Sequence, residues 1–164
     1  MSERLVAFPP VWRADAEILI LGSMPSAASL EVGFYYGHPR NAFWRILSDV
    51  YGCPLPESIE QKRAILIEHR LALWDALTAC RREGSLDSAI REPELNDFEG
   101  LFRDCPKIKR VLFNGGTAAK LFMKSGAGHL EGRQAVTLPS TSPAYTLSYE
   151  RKLALWRQAL VGML

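Results

Sequence analysis

Four short apolar runs, each ending at a polar or turn-forming residue, constrain the fold of this chain more than any other feature. They are EILIL at 17–21, LALW at 71–74, RVLF at 110–113 and AVTL at 135–138. Continuous apolar runs of this length are typical of strands covered on both faces, as in a parallel sheet. Helical periodicity between the runs then predicts right-handed crossovers and a three-layer α/β/α sandwich.

The helices are expected to begin at capping residues. Ser58, Asn96, Thr117 and Ser148 are predicted caps, and a further amphipathic helix is predicted at 41–50. Parallel sheets bind ligands at the carboxyl ends of their strands, so a site is predicted in the loops that follow the four runs. These loops are 22–40, 75–82, 114–117 and 139–146.

The first loop combines a turn with an unusual aromatic segment. Gly22 allows a sharp turn after the strand, and the hydroxyls of Ser23 and Ser26 suit an oxygen-rich ligand such as phosphate, although an ordinary turn is the alternative. The segment YYGHPRNAFW at 35–44 adds four aromatic rings, a histidine, an arginine and an asparagine. Aromatic rings beside amide and carboxylate groups suit a flat heterocycle, stacked on its face and recognised along its edge.

The other loops carry groups that fit the same ligand. Asp75 can accept a hydrogen bond from a ring N–H, or it can cap a short helix. Asn114 precedes two glycines and a helix start, where free amides suit an anion or a carbonyl oxygen. The loop PSTSPAYT at 139–146 offers hydroxyls for phosphates and an Ala-Tyr wedge. Together the loops predict an α/β domain that binds a nucleobase next to phosphates.

Composition narrows the function without fixing it. The net charge of +2 is compatible with nucleic-acid binding but does not require it. Three widely spaced cysteines and three histidines form no metal-ligand pattern, so neither a metal nor another cofactor is expected. Neither a membrane span nor a signal peptide is recognisable, so the cytoplasm is the expected compartment and a monomer the expected state.

Five segments resemble the uracil-DNA glycosylase superfamily, and especially its hypoxanthine-DNA (deoxyinosine) glycosylase branch, also called family six. They are LILGSMPS at 19–26, GHPRNAFW at 37–44, LALWDALTACRREGSLD at 71–87, VLFNGGTA at 111–118 and LPSTSPAYT at 138–146. The resemblance implies one glycosylase-like domain over 1–164, with a central four-stranded parallel sheet in the order 2-1-3-4. It also implies that the partner is DNA containing a deaminated base.

The chain differs from related enzymes at one position where they have a catalytic asparagine, so the catalytic residue is expected in another segment. Mismatch-specific uracil glycosylases have a catalytic asparagine in a GINPG motif after the first strand, but this chain has GSMPS, with Met24 at that position. In the branch that the chain resembles, the catalytic role belongs to the asparagine of HPRN, which is Asn41. Asn41 also precedes a helix and can serve as its cap.

The remaining roles follow from the same resemblance. Asp75 stands where relatives have a base-reading asparagine, Tyr36 is the first candidate for stacking on the base, and Tyr35 is the second. Base-binding residues are expected to be Tyr36, Asp75, Asn114, Gly22, Ser23 and Met24. DNA-binding residues are expected to be Ser26, His38, Arg40, Ser140, Thr141, Ser142, Pro143 and Tyr145; His38 can instead assist Asn41.

The expected activity is monofunctional hydrolysis of the N-glycosidic bond, with water as the nucleophile and hypoxanthine as the favoured base. Uracil specificity, or activity on both bases, is the main alternative. A non-catalytic nucleic-acid binding module and an enzyme acting on free nucleosides are further alternatives.

Overall fold

The computed structural model describes residues 3–162, which contain strands from two separate sheets. In chain order the strands are β1 (Arg4–Val6), β2 (Ile18–Gly22), β3 (Leu71–Asp75), β4 (Leu77–Arg81), β5 (Arg91–Leu95), β6 (Arg110–Asn114) and β7 (Gln134–Leu138). The helices are α1 (Ala27–Val32), α2 (Phe43–Tyr51), α3 (Ile59–Glu68), α4 (Phe98–Asp104), α5 (Gly116–Met123) and α6 (Tyr149–Val161).

The central sheet has four parallel strands in the order β3-β2-β6-β7, which confirms the predicted order 2-1-3-4. The register pairs Gly22 with Asp75 and Asn114 with Leu138. The carboxyl ends of all four strands therefore meet at one edge of the sheet. Every residue of β2 and β6 is buried, which agrees with the continuous apolar runs in the sequence.

Helices cover both faces of the central sheet and form two apolar clusters. Helices α2, α3 and α6 supply one cluster, in which the rings of Phe43 and Trp156 meet edge to face with centroids 6.0 Å apart. Helices α4 and α5 supply the other, where Phe122 packs against Phe98 and Phe113. Full burial of one such side chain is worth about 1.5–3 kcal/mol, so these clusters fix the helices against the sheet.

A second, antiparallel sheet in the order β1-β4-β5 was not predicted. Strand β4 starts two residues after Asp75, so the alternative that Asp75 caps a helix is wrong. The backbone N–H of Ala76 instead donates to Gly22 O at 2.7 Å, which holds the ends of β2 and β3 together. Arg81, predicted to lie in a loop, belongs to β4 and pairs with Glu92.

Two of the four predicted capping residues do cap helices in the structure. Ser58 accepts a hydrogen bond from Gln61 N, and Ser148 accepts one from Arg151 N, as expected. Asp97 rather than Asn96 caps α4, and α5 follows Gly115 with no side-chain cap. Among residues 3–162, no helix combines the length and apolarity needed to cross a bilayer.

Candidate active site

Gly22, Asp75 and Tyr36 approach one another closely at the carboxyl edge of the sheet. A Cβ atom on Gly22 would lie 2.5 Å from Asp75 Oδ1 and 2.9 Å from the Tyr36 hydroxyl oxygen. Carbon and oxygen atoms cannot pack at such distances, so glycine is the residue that this arrangement accepts. Three predicted base-binding residues are therefore brought together, and we call them the base-reading cluster.

Each polar side chain of the base-reading cluster has one buried oxygen atom without a hydrogen-bond partner among the described residues. Asp75 is 2% exposed. Its Oδ2 atom and the Tyr36 hydroxyl form no hydrogen bond with any of the residues that the structure describes. Buried polar groups in folded proteins are nearly always paired, because each unpaired group costs about 1–3 kcal/mol. Unpaired groups of this kind are typical of a site that a ligand completes.

Burial raises the pKa of Asp75 to about 7, and the charge of Asp87 contributes in the same direction. The Arg82 guanidinium opposes both effects, but it does not cancel them. Burial also raises the pKa of Tyr36, helped by the Asp75 charge and opposed by the Asn114 amide. Near neutral pH the Asp75 carboxyl can therefore either accept or donate a hydrogen bond.

The segment after β4 supports the GSMPS loop, and the sequence did not indicate this. Asp87 accepts a hydrogen bond from Ser23 Oγ at 2.7 Å, and Ser85 Oγ accepts one from Ala27 N at 2.9 Å. Arg82 is buried and donates to Pro25 O at 2.6 Å. Arg82 therefore holds the backbone of the GSMPS loop. Residue spacing alone offered no signal for these contacts.

The two adjacent tyrosines have different roles. The Tyr36 ring packs on Phe43 with centroids 4.2 Å apart, and its backbone adopts the left-handed region at φ 53°. Such a conformation is uncommon outside glycine and indicates that the surrounding structure imposes it. Tyr35 lies in the core at 2% exposure and donates to Pro9 O. Its prediction as a second stacking candidate is therefore wrong.

Two further predicted site residues lie in the GSMPS loop. The Met24 side chain is buried in the apolar cluster beneath α4 and α5. Ser26 caps α1, a six-residue helix that the sequence did not predict, by accepting from Ser29 N at 3.1 Å. Ser29 Oγ in turn accepts from Gly37 N, which ties α1 to the HPRN turn.

Asn41 lies at the start of α2 with its amide oxygen engaged. The oxygen accepts a hydrogen bond from Phe43 N at 2.9 Å, one residue outside the usual capping position. The amide nitrogen has no hydrogen-bond partner within residues 3–162, and Asn41 lines a cavity that is described below. His38 accepts from Arg40 N through its Nδ1 atom, and its Nε2 atom forms no hydrogen bond with the residues that the structure describes.

Asn114 and Thr141 join the end of β6 to the loop that follows β7. The Asn114 amide nitrogen donates to Thr141 Oγ1, and its oxygen accepts from Thr141 N, both at 2.9 Å. Thr141 O accepts from Ala42 N at 3.0 Å, so the same residue also holds the start of α2. The pair thereby sets the distance between Asn41 and the PSTSPAYT loop.

The PSTSPAYT loop is anchored from beneath and exposed at its tip. Ser140 Oγ accepts from Ser142 N, and Lys152 of α6 donates to Ser142 O at 3.1 Å. Lys152 is 4% exposed, and burial lowers its pKa. Tyr145 is 50% exposed at the tip, beside the exposed Pro143. The loop thus presents an aromatic side chain to solvent on a fixed base.

A cavity of about 610 Å³ connects these parts. Tyr36, Asn41 and Thr141 form its inner wall, and the exposed Arg40 and half-buried His38 lie on its rim. Ser23, Asp75 and Asn114 do not line this cavity. Within residues 3–162, no three histidine, cysteine or acidic side chains are placed to hold a metal ion.

Comparisons with known proteins show the family of this chain. The family model for the uracil DNA glycosylase superfamily matches residues 9–161. The chain therefore belongs to the uracil DNA glycosylase superfamily.

Within that superfamily, two curated relatives named hypoxanthine DNA glycosylase support the predicted branch. The protein from Methanosarcina acetivorans is 40% identical over 139 residues, which cover 84% of this chain and 85% of the relative. The protein from Methanosarcina barkeri is 44% identical over 109 residues, which cover 66% and 69% of the two chains.

A solved structure has the same fold. It is a solution NMR structure of a Methanosarcina acetivorans protein proposed to be a uracil DNA glycosylase. The TM-score is 0.84 at 36% identity, and the alignment covers 96% of this chain and 97% of the other. The mixed α/β fold is therefore that of a known superfamily member.

Proposed function

We propose that this protein is a DNA base-excision repair glycosylase that releases a deaminated base, with hypoxanthine as the favoured target. One observation carries the proposal. The Tyr36 hydroxyl belongs to the base-reading cluster, and Tyr36 also lines the cavity into which Asn41 opens. A flipped base entering that cavity therefore meets the Tyr36 ring and the Asn41 amide together, and the Asp75 carboxyl lies close to the hydroxyl of the same tyrosine.

Base recognition rests on the Asp75 carboxyl. Hypoxanthine presents an N1–H beside its O6 carbonyl, and a carboxyl group with a pKa of about 7 can face either atom. The unpaired Oδ2 atom leaves Asp75 ready for such a bond. Tyr36 stacks on the base with the part of its ring that Phe43 leaves uncovered.

The reaction breaks the bond between the sugar C1′ and the base nitrogen, and the bonding electrons leave with the base. A water oxygen then bonds to C1′, and one of its protons ends on the departing base. Asn41 donates through its free amide nitrogen to the base or orients the water, and its bond to Phe43 N keeps the side chain fixed. No lysine takes part covalently.

DNA contacts are assigned to the loops around the cavity. Ser140, Ser142 and the rim residues His38 and Arg40 bind backbone phosphates. Tyr145, at the exposed loop tip, enters the space that the flipped nucleotide leaves. We assign Ser23 and Ser26 to backbone-mediated contacts, because their hydroxyls already bond Asp87 and Ser29.

The test is a panel of duplexes carrying deoxyinosine, deoxyuridine, deoxyxanthosine or ethenodeoxycytidine, scored for abasic sites under single-turnover conditions. We expect the fastest release from deoxyinosine. Binding of these duplexes without release of any base would indicate a non-catalytic nucleic-acid module. Release from free nucleosides as fast as from duplexes would indicate a different enzyme class.

Uracil is the second candidate target, because an ionised Asp75 can also accept the N3–H of uracil. Comparable rates on deoxyuridine and deoxyinosine would favour a mixed activity. We further propose that the protein acts as a single-domain monomer in the cytoplasm, which sedimentation of the purified chain and fractionation of cells would test.

A further inference from the structure

The cavity continues beyond the residues assigned above. Its volume of about 610 Å³ corresponds to roughly 20 water molecules, whereas a hypoxanthine base has only about ten non-hydrogen atoms. One end of the cavity is lined by residues that have no role in base reading. We call this end the outer cavity; its residues are Trp44, Arg45, Leu55, Pro56, Lys62 and Tyr149.

The charges around the cavity have one sign. Arg45 comes from α2, Lys62 from α3 and Lys152 from α6, and Arg40 lies in the preceding loop. None of the described residues that line the cavity is an aspartate or glutamate. Asp49 does not line the cavity, but it accepts a hydrogen bond from the hydroxyl of Tyr149, which does. An uncompensated group of cations in a concave surface attracts an anionic polymer.

Aromatic rings hold the two outer cations in place. The Arg45 Cζ atom lies 3.7 Å from the centroid of the Tyr149 ring, and Lys62 Nζ lies 5.4 Å from the Trp44 ring. Cation–π contacts of this kind restrict long side chains without neutralising them. Neither cation forms an ion pair with a residue in the described part of the chain. Both charges therefore remain available to a ligand.

We infer that the outer cavity binds the phosphodiester backbone of the target strand next to the flipped nucleotide, with Arg45 and Lys62 contacting its phosphates. This inference rests on the proposed function. A strand whose base reaches Tyr36 must continue past the mouth of the same cavity, and the outer cavity is continuous with that mouth. Guanidinium groups match phosphate geometry, and a lysine supplies a point charge, so the two side chains suit consecutive phosphates.

The experiment compares Arg45→Gln, Lys62→Gln and the double variant with Lys107→Gln as a charge-matched control. Lys107 is exposed and precedes β6, at the edge of the sheet opposite the cavity. Duplex affinity is measured by fluorescence anisotropy at salt concentrations from about 50 to about 300 mM, because the release of counterions from DNA makes affinity fall with salt over this range. Single-turnover base release is measured on the same duplexes.

Each outer-cavity variant should weaken duplex binding about tenfold and reduce the slope of log K against log salt concentration by about 0.9, as expected for one lost phosphate contact. The limiting rate of base release at saturating enzyme should change less than about threefold, because the reacting groups are untouched. Lys107→Gln should match the wild type in all three measurements.

A scan with single methylphosphonate linkages then locates the phosphates. In the wild type, binding should weaken when the linkage that Arg45 contacts is made neutral, and likewise for the linkage that Lys62 contacts. The variant that lacks the contacting side chain should show no further loss of binding at the same linkage. Outer-cavity variants that behave like Lys107→Gln, or losses that simply add at every linkage, would overturn the inference. If the wild type releases no base, the proposed function fails, but the binding slopes still decide whether the outer cavity contacts phosphates.

Discussion

Replacement of Asp75 by asparagine should change how stability depends on pH. The ordinary carboxyl pKa is 3.8, and burial raises that of Asp75 to about 7. The folded protein therefore keeps a proton on Asp75 at pH values where the unfolded chain has lost it. The free energy of unfolding should fall as pH rises from about 4 to about 7 and then level off.

The size of this effect follows from the two pKa values. One pKa unit corresponds to about 1.4 kcal/mol, so the wild type should lose about 4 kcal/mol across that range because of Asp75. Asp75→Asn removes the titration and should not lose this increment. A constant offset from the new amide does not matter, because the comparison is between pH values within each protein.

Urea unfolding at half-unit pH steps from about 4 to 8.5 measures the effect by linear extrapolation. Neighbouring cations lower the pKa values of three other carboxyl groups, those of Asp15, Glu17 and Glu94. These groups make stability rise with pH at low pH, but they are present in both proteins, so their contributions cancel in the comparison. Asp87→Asn should shift the end of the wild-type decline to lower pH. A difference between wild type and Asp75→Asn that stays constant across the range would refute the reasoning.

Three other substitutions probe the contacts around the site. Gly22→Ala places a methyl group 2.5 Å from Asp75 Oδ1, so base release in a single-turnover assay should fall at least about tenfold, with a loss of about 1–3 kcal/mol of stability in urea; unchanged release would contradict the close packing. Asn114→Ala removes both hydrogen bonds to Thr141 and should lower the free energy of unfolding by about 2 kcal/mol. An unchanged free energy of unfolding would show that these two hydrogen bonds do not contribute to stability. Lys152→Met loosens the PSTSPAYT loop and should weaken duplex binding about tenfold, with recovery in Lys152→Arg; failure of arginine to rescue would exclude the hydrogen bond as the cause.

The central sheet and the place of the site were predictable because they depend on local patterns. Buried strands such as β2 and β6 are continuous apolar runs, and each ends at a turn-forming or polar residue. Parallel pairing then brings Gly22, Asp75 and Asn114 to one edge, whatever the details of packing.

The second sheet was missed because its strands lack that pattern. Strand β5 reads REPEL and is mostly exposed, while β4 follows β3 after a single residue. The burial of Tyr35 and Met24 was also beyond the sequence. Tyr35 and Tyr36 are adjacent and have the same side chain, so the sequence cannot distinguish them. In the structure Tyr36 has a left-handed backbone, Tyr35 points into the core and Tyr36 belongs to the base-reading cluster.

Contacts between distant segments could not be inferred at all. The carboxylate of Asp87 reaches Ser23 across 64 residues, and Arg82 reaches Pro25 across 57. Neither position has a local signature, because serine, aspartate and arginine are ordinary loop residues. These contacts nevertheless set the charge environment of Asp75.

The most direct test of the account is single-turnover base release by Asn41→Ala on deoxyinosine and deoxyuridine duplexes, measured alongside its stability. Asn41→Asp is the matched control for folding, since it keeps an acceptor for Phe43 N. We expect Asn41→Ala to release base at least about a hundredfold more slowly than the wild type, in keeping with the loss of one preorganised donor, while duplex affinity is retained. A rate within a few-fold of the wild type, with only stability reduced, would mean that Asn41 merely begins the helix and that the catalytic group lies elsewhere.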